Sequence, residues 1–178
     1  YLAVRRPGWF SKSLELSNYI TSSMPGIVVG LAFVTVSIRM LPGMYQTSAL
    51  LIAAYVLLFL PRALVNIRSG LSQAPKELDE AAQALGKPPL LAFLRVTLRL
   101  TAPAAAGGAA LVFLGIVNEL TATLLLSPNG TRTLATEFWS KSSEIDYAGA
   151  APYALLMILI SAPMTYLLFQ QSKKVAGQ

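Results

Sequence analysis

Two short stretches of this sequence carry residues whose type and spacing could do chemistry. The first, Glu77-Leu78-Asp79-Glu80-Ala81-Ala82-Gln83-Ala84-Leu85-Gly86-Lys87-Pro88-Pro89, sets three carboxylates just after Pro75 and closes on a glycine and two prolines. Proline suits a first helical turn, acids there complement the helix dipole, Gly86 offers a C-terminal stop, and Pro88 and Pro89 prevent continuation. The pattern predicts a helix of about ten residues, closed at both ends. Its use would be docking. Leu78, Ala82 and Leu85 fall on one face, Ala81 and Ala82 allow close approach, and Asp79 and Glu80 could bond a partner's Arg or Lys. The second stretch is Asn118-Glu119, inside an apolar run. A carboxylate at membrane depth is a functional candidate, whereas near the outer end of a span it would only snorkel or cap a loop.

Other chemistry is excluded by what the chain lacks. It holds no Cys and no His, which removes thiolates, disulfides, the commonest metal ligand and the commonest general base. It has no Gly-x-x-x-x-Gly-Lys-Ser/Thr phosphate loop, so it is not its own ATPase. No nucleophile with a paired base remains, and no cofactor is expected in this chain. The reading is not an enzyme.

The elements that must position these stretches are apolar. The chain is 54% hydrophobic and only 12% charged, where about a quarter charged is usual for soluble domains. An all-α, polytopic transmembrane helical bundle of about four spans follows. Spans are expected at Pro25 to Leu41, Tyr45 to about Val65, Ala102 to Leu126 and Ala148 to Phe169. The second should kink at Pro61 and carry Arg62 and Arg68 into water. Pro89 to Leu100, with Arg95 and Arg99 one turn apart, reads as an amphipathic interfacial helix. The lead-in Ser11 to Ser23 is interfacial, and Ser127 to Tyr147 is a polar loop with Trp139 and Tyr147 at the interface. Small residues from Ala104 to Gly115 place the third span inside the bundle.

Four spans give a charge count. With the charged loop inside, eleven of the fourteen basic residues lie on inner segments, all but Arg39, Arg132 and Lys141. The positive-inside rule then puts that loop and both termini in the cytoplasm. The net charge of +6 is scattered between apolar segments and forms no basic stripe for nucleic acid. One membrane domain, residues 1–178, accounts for the chain, with the loop at 73–100 within it. The start at Tyr1, with an apolar turn cut off by Arg5-Arg6-Pro7, reads as part of a longer protein.

The order Glu80-Ala81-Ala82, three residues, Gly86, nine residues, Val96, one residue, Leu98 resembles the signature loop of ABC importer permeases that work with a binding protein. Val96 replaces the family's Ile, and Arg99 stands where the family has Pro. The Pro25-Gly26 entry and two spans on either side of the loop extend the resemblance over nearly the whole chain. It implies that Asp79, Glu80, Ala81, Ala82 and Gly86 couple to a cytoplasmic ATPase subunit that binds the ATP. It further implies a periplasmic or extracellular solute-binding protein, a second permease half or subunit, and a bacterial inner membrane. The run Asn118 to Leu126 is similar to permeases for ferric iron, which makes ferric iron the leading solute and Asn118 and Glu119 the candidate pathway. Asn129, Arg132, Trp139, Glu144 and Asp146 could receive the binding protein. The rival readings are an ion-coupled secondary transporter, disfavoured because Glu119 has no basic partner in the expected spans, a membrane-embedded enzyme, and a membrane anchor.

Overall fold

The computed structural model describes residues 9–176, and within them every regular element is helical. In chain order these are α1 (Trp9–Ser22), α2 (Gly26–Met40), a 3-10 turn (Pro42–Met44), α3 (Ser48–Ser72) and α4 (Lys76–Ala84). Then come α5 (Pro89–Val117), α6 (Thr121–Leu126), α7 (Leu134–Ser143) and α8 (Tyr147–Ala176). The protein is an all-α polytopic membrane bundle. Three helices are long and apolar enough to cross a bilayer, α3 with 25 residues, α5 with 29, and Tyr147–Gln170 of α8 with 24. Helix α2, at 15 residues, is too short to cross alone in a straight path.

The boundaries follow from local chemistry. Pro25, extended at φ −61° and ψ 142°, starts α2, and Leu41 and Pro42 end it. The Thr47 side chain accepts from the Leu50 amide at 3.3 Å and caps α3. Thr133 and Thr136 form a reciprocal capping box at the start of α7, and Asp146 Oδ1 accepts from the Gly149 amide at 2.9 Å at the start of α8.

Several elements differ from the sequence expectation. Helix α3 continues through Pro61 to Ser72. Pro61 is buried among neighbours, and membrane helices accept such a missing bond where packing restores polar contacts. Arg62 therefore sits inside one continuous helix. Pro89 to Leu100 is not a separate interfacial helix. A π turn at Phe93–Thr97, with the Leu98 amide donating to the Phe93 carbonyl, absorbs one residue and joins it to the third span. That span stops at Val117, and the last six residues of the expected Ala102 to Leu126 segment form α6. The polar loop after α6 contains α7, and the interfacial lead-in contains α1. Arg5, Arg6 and the region before Trp9 lie outside the described residues.

Packing centres on the antiparallel pair α3 and α5. Gly70 meets Thr101 and Ala104, Gly108 meets Ala63 and Asn66, and Gly115 meets Phe59 and Arg62. Helix α6 packs on α2, where Gly30 lies against Ala122 and Leu125. The core joins these pairs: Leu50, Leu51 and Ala54 of α3 bury against Ala122 and Leu126 of α6. In lipid this close contact, and not apolar burial alone, holds helices together.

A side chain at Gly70 would overlap the Ala104 methyl. Gly70→Leu is expected to cost about 1–3 kcal/mol by overpacking and to lower the melting temperature of the detergent-solubilised permease. Gly43→Ala, which meets nothing within 4 Å, should leave the melt unchanged.

Candidate functional site

Helix α4 stands at one end of the bundle, joined to α3 by Gln73 to Pro75 and to α5 by Leu85 to Pro88. It has nine residues with Glu77 and Asp79 in its first turn. Its end is a Schellman motif: Gly86 at φ +81°, the Gly86 amide donating to the Gln83 carbonyl at 2.9 Å, and the Lys87 amide to Ala82 at 3.1 Å. Glycine is the residue that adopts this φ without strain. The stop at Gly86 is therefore built into the backbone.

Most of α4 faces outward. Glu80 and Ala81 are exposed, Ala82 is half-buried, Leu78 is 45% exposed and Leu85 is 83% exposed. The Leu78, Ala82 and Leu85 face is thus open for a partner, and among the described residues the Glu80 side chain makes no hydrogen bond back into the chain. Asp79 behaves differently. The hydroxyl of Thr97, 1% exposed, donates to Asp79 Oδ2 at 2.5 Å. The Asp79 side chain turns toward the π turn at the root of α5 instead of reaching out like Glu80. Thr97 in its turn is followed by Thr101, whose hydroxyl donates to the Thr97 carbonyl at 2.9 Å.

Thr97 was invisible as a site residue in the sequence. Its only signal is its place one residue after Val96, in the second half of the signature spacing. The π turn that brings it opposite Asp79 has no composition cue.

Asn118 and Glu119 lie at the break between α5 and α6, well away from α4. The Asn118 side chain donates to the Leu114 carbonyl at 2.7 Å, and the Asn118 amide donates to the same carbonyl at 3.3 Å as the last bond of α5. Glu119 Oε1 accepts from the Ala122 amide at 2.9 Å, capping α6. The same carboxylate lies beside Gly26 at the start of α2, where a Cβ would come within 3.3 Å of Oε1. Thr123 then donates to the Glu119 carbonyl at 2.9 Å and shares a 2.5 Å hydrogen bond with the Tyr55 hydroxyl. The pair is a polar hinge where α2, α3, α5 and α6 meet.

At the same end, Arg132 bonds Glu137 at 3.2 Å, and the Tyr153 hydroxyl donates to Glu137 at 3.3 Å, which ties α7 to α8. Asn129 is exposed beside the left-handed Gly130, at φ +83°. Glu144 and Asp146 both pair with Lys141, at 3.9 Å and 3.5 Å, while Trp139 is half-exposed.

Apolar helices around a polar hinge, with a capped charged helix held out at one end, are the parts of a membrane subunit of a transport system. The chain belongs to the family described as binding-protein-dependent transport system inner membrane components, whose model matches residues 1–177. It is 37% identical over 168 residues to the Fe(3+)-transport system permease protein FbpB 2 of Haemophilus influenzae, covering 94% of this chain and 33% of that protein. It is 26% identical over 176 residues to the putative 2-aminoethylphosphonate transport system permease protein PhnV of Salmonella typhimurium, covering 98% of this chain and 65% of PhnV. The ferric transport system permease protein FbpB of Actinobacillus pleuropneumoniae is 24% identical over 160 residues. The chain therefore spans about a third of the first relative and just under two thirds of the second.

Removing one partner of the Asp79–Thr97 bond strands a buried polar group, a cost of about 1–3 kcal/mol. Thr97→Val is expected to loosen α4, read as faster tryptic cleavage at the exposed Lys76. Thr97→Ser, which keeps the hydroxyl, should cleave at the wild-type rate.

Proposed function

We propose that this chain is the core of a permease subunit in an ATP-driven importer, moving a small solute handed over by an external solute-binding protein. The observation that carries the reading is α4 itself, a helix capped at Gly86, tied inward by Asp79 and open outward at Glu80, Ala81, Leu78 and Leu85. Such a helix suits a cleft in a cytoplasmic ATPase subunit. Glu80 would take a charge-assisted bond from a basic partner residue, and the small Ala81 and Ala82 would let the partner close on the backbone. ATP-driven closure of the ATPase pair would displace α4 and, through its two short connections, α3 and α5. The loop at 73–100 is the coupling loop of a single membrane domain.

This orientation places α4 on the cytoplasmic side of a bacterial inner membrane and the α5–α6 hinge toward the outer side. It agrees with the basic residues around α4, namely Arg68, Lys76, Lys87, Arg95 and Arg99. A second permease half, on the same polypeptide or another, completes the pathway. The names of the relatives support two cargo classes, ferric iron and aminoethylphosphonate, and the greater identity to the ferric protein favours iron as the leading solute. Asn118 and Glu119, at the meeting of four helices, are the candidate pathway and gate. ATP is bound by the partner, and ion-coupled secondary transport is the competing reading.

The test is co-purification of the complete permease with its ATPase subunit. A β-branched residue at φ +81° is strained by roughly 1–2 kcal/mol, so Gly86→Val together with Glu80→Ala should release the ATPase and abolish substrate-stimulated ATP hydrolysis. Uptake driven by a proton gradient with no ATPase present would contradict the importer.

A further inference from the structure

Helix α3 carries a charge at a depth that neither its caps nor its packing explain. Its 25 residues run from Ser48 to Ser72, and the Arg62 side chain leaves it toward the Ser48 end, as helical side chains do. The guanidinium carbon lies 5.4 Å from the centre of the Phe59 ring, and a Cβ on Gly115 of α5 would come within 2.9 Å of Nη1. Phe59 is about 17 Å from the Ser48 end and about 20 Å from the Ser72 end at 1.5 Å per residue. The charge therefore sits at mid-height and does not reach for the nearer Ser72 end. Among the described residues no carboxylate lies within ion-pair distance of it, and its side chain is exposed on this chain.

A guanidinium facing acyl chains at that depth is costly, so this face is turned to protein or to water. Lipid phosphates lie near the ends of a hydrocarbon layer about 30 Å thick, out of its reach. The surroundings favour a wet path. Tyr55, Phe59, Arg62 and Asn66 recur at i, i+4, i+7 and i+11 on one face of α3, directed at α5 and α6 by the Tyr55–Thr123 bond and the Phe59–Gly115 and Asn66–Gly108 contacts. Asn118, also exposed, stands one turn beyond Gly115 on α5. Polar groups thus mark the height of the bundle from the hinge to Asn66. Gly115 leaves room for the guanidinium, and Phe59 holds one of its faces. The edge of the fork stays open, with parallel N–H donors that match two oxygens of a tetrahedral oxyanion.

We propose that Arg62, held between Phe59 and Gly115 at mid-height, binds a phosphonate or phosphate oxyanion on the transport path. The assignment rests on reading the chain as a permease with a central path. Its oxyanion has two sources, a free organophosphonate cargo or an oxyanion that accompanies a ferric ion and offsets its charge.

The test uses the complete permease in nanodiscs and 31P NMR of added methylphosphonate, whose signal is separate from lipid phosphate. Wild type should broaden the line, Arg62→Gln should bind at least about tenfold more weakly, the loss of a charge-assisted hydrogen-bonded contact, and Arg62→Lys should restore part of the affinity. Repeating the titration with Ga3+, a diamagnetic substitute for ferric iron, separates the sources. Broadening by methylphosphonate alone assigns free phosphonate, and broadening only with Ga3+ assigns the ferric companion. No broadening by wild type under either condition, or equal broadening by Arg62→Gln, overturns the proposal. This readout needs no ATPase, so failure of the importer reading would show in co-purification and not here.

Discussion

The close antiparallel contact of α3 and α5 is the constraint on which the rest of the structure depends. At Gly70, Gly108 and Gly115 the two helices approach until a single methyl would collide or crowd. In lipid there is little apolar driving force between helices, so this proximity must supply the dispersion contacts that hold them. It also fixes what the ends of the pair present. At one end α3 and α5 converge on the two short connections that carry α4. At the other, the end of α5 meets α2 and α6 at Glu119.

In the proposed importer, coupling between those ends would need no long chain of contacts. Asp79 and the buried Thr97 tie α4 to the π turn of α5, and Gly86 fixes the exit from α4. A π turn is a local under-wound turn that marks functional positions in many helices. Here it brings Thr97 under α4 while leaving the following turns, Leu98–Val117, helical. In the proposed importer, displacement of α4 would pass to α5 and, through the glycine contacts, to α3. The polar hinge at Asn118 and Glu119 is where that pair ends and α6 begins.

Much of this was legible in the residues, and the failures share one cause. Charges, prolines and Gly86 announce α4 and its end because capping is local chemistry. The apolar composition announces the bundle. Pro61 reads as an interruption, yet Pro61 is buried and α3 runs on as one helix from Ser48 to Ser72. Asn118-Glu119 was read within a continuous span because the flanking residues are all apolar. Instead α5 ends at Val117, and the Glu119 carboxylate caps α6. The polar composition of Ser127 to Tyr147 reads as loop, although Thr133 and Thr136 stand at capping-box spacing at the start of α7, with threonine in place of the usual Glu or Gln. Each miss involves a polar group choosing between a backbone partner and a tertiary one, a choice made by packing.

In the proposed importer, α4 and α5 move as one lever. The chain holds no cysteine, so spin labels at Gln83→Cys on α4 and Ala109→Cys on α5, both exposed, report their separation directly in the complete transporter. Electron-electron double resonance should give one narrow distance distribution, the same without nucleotide and with ATP trapped. A distribution that shifts or broadens between the two states would contradict the lever.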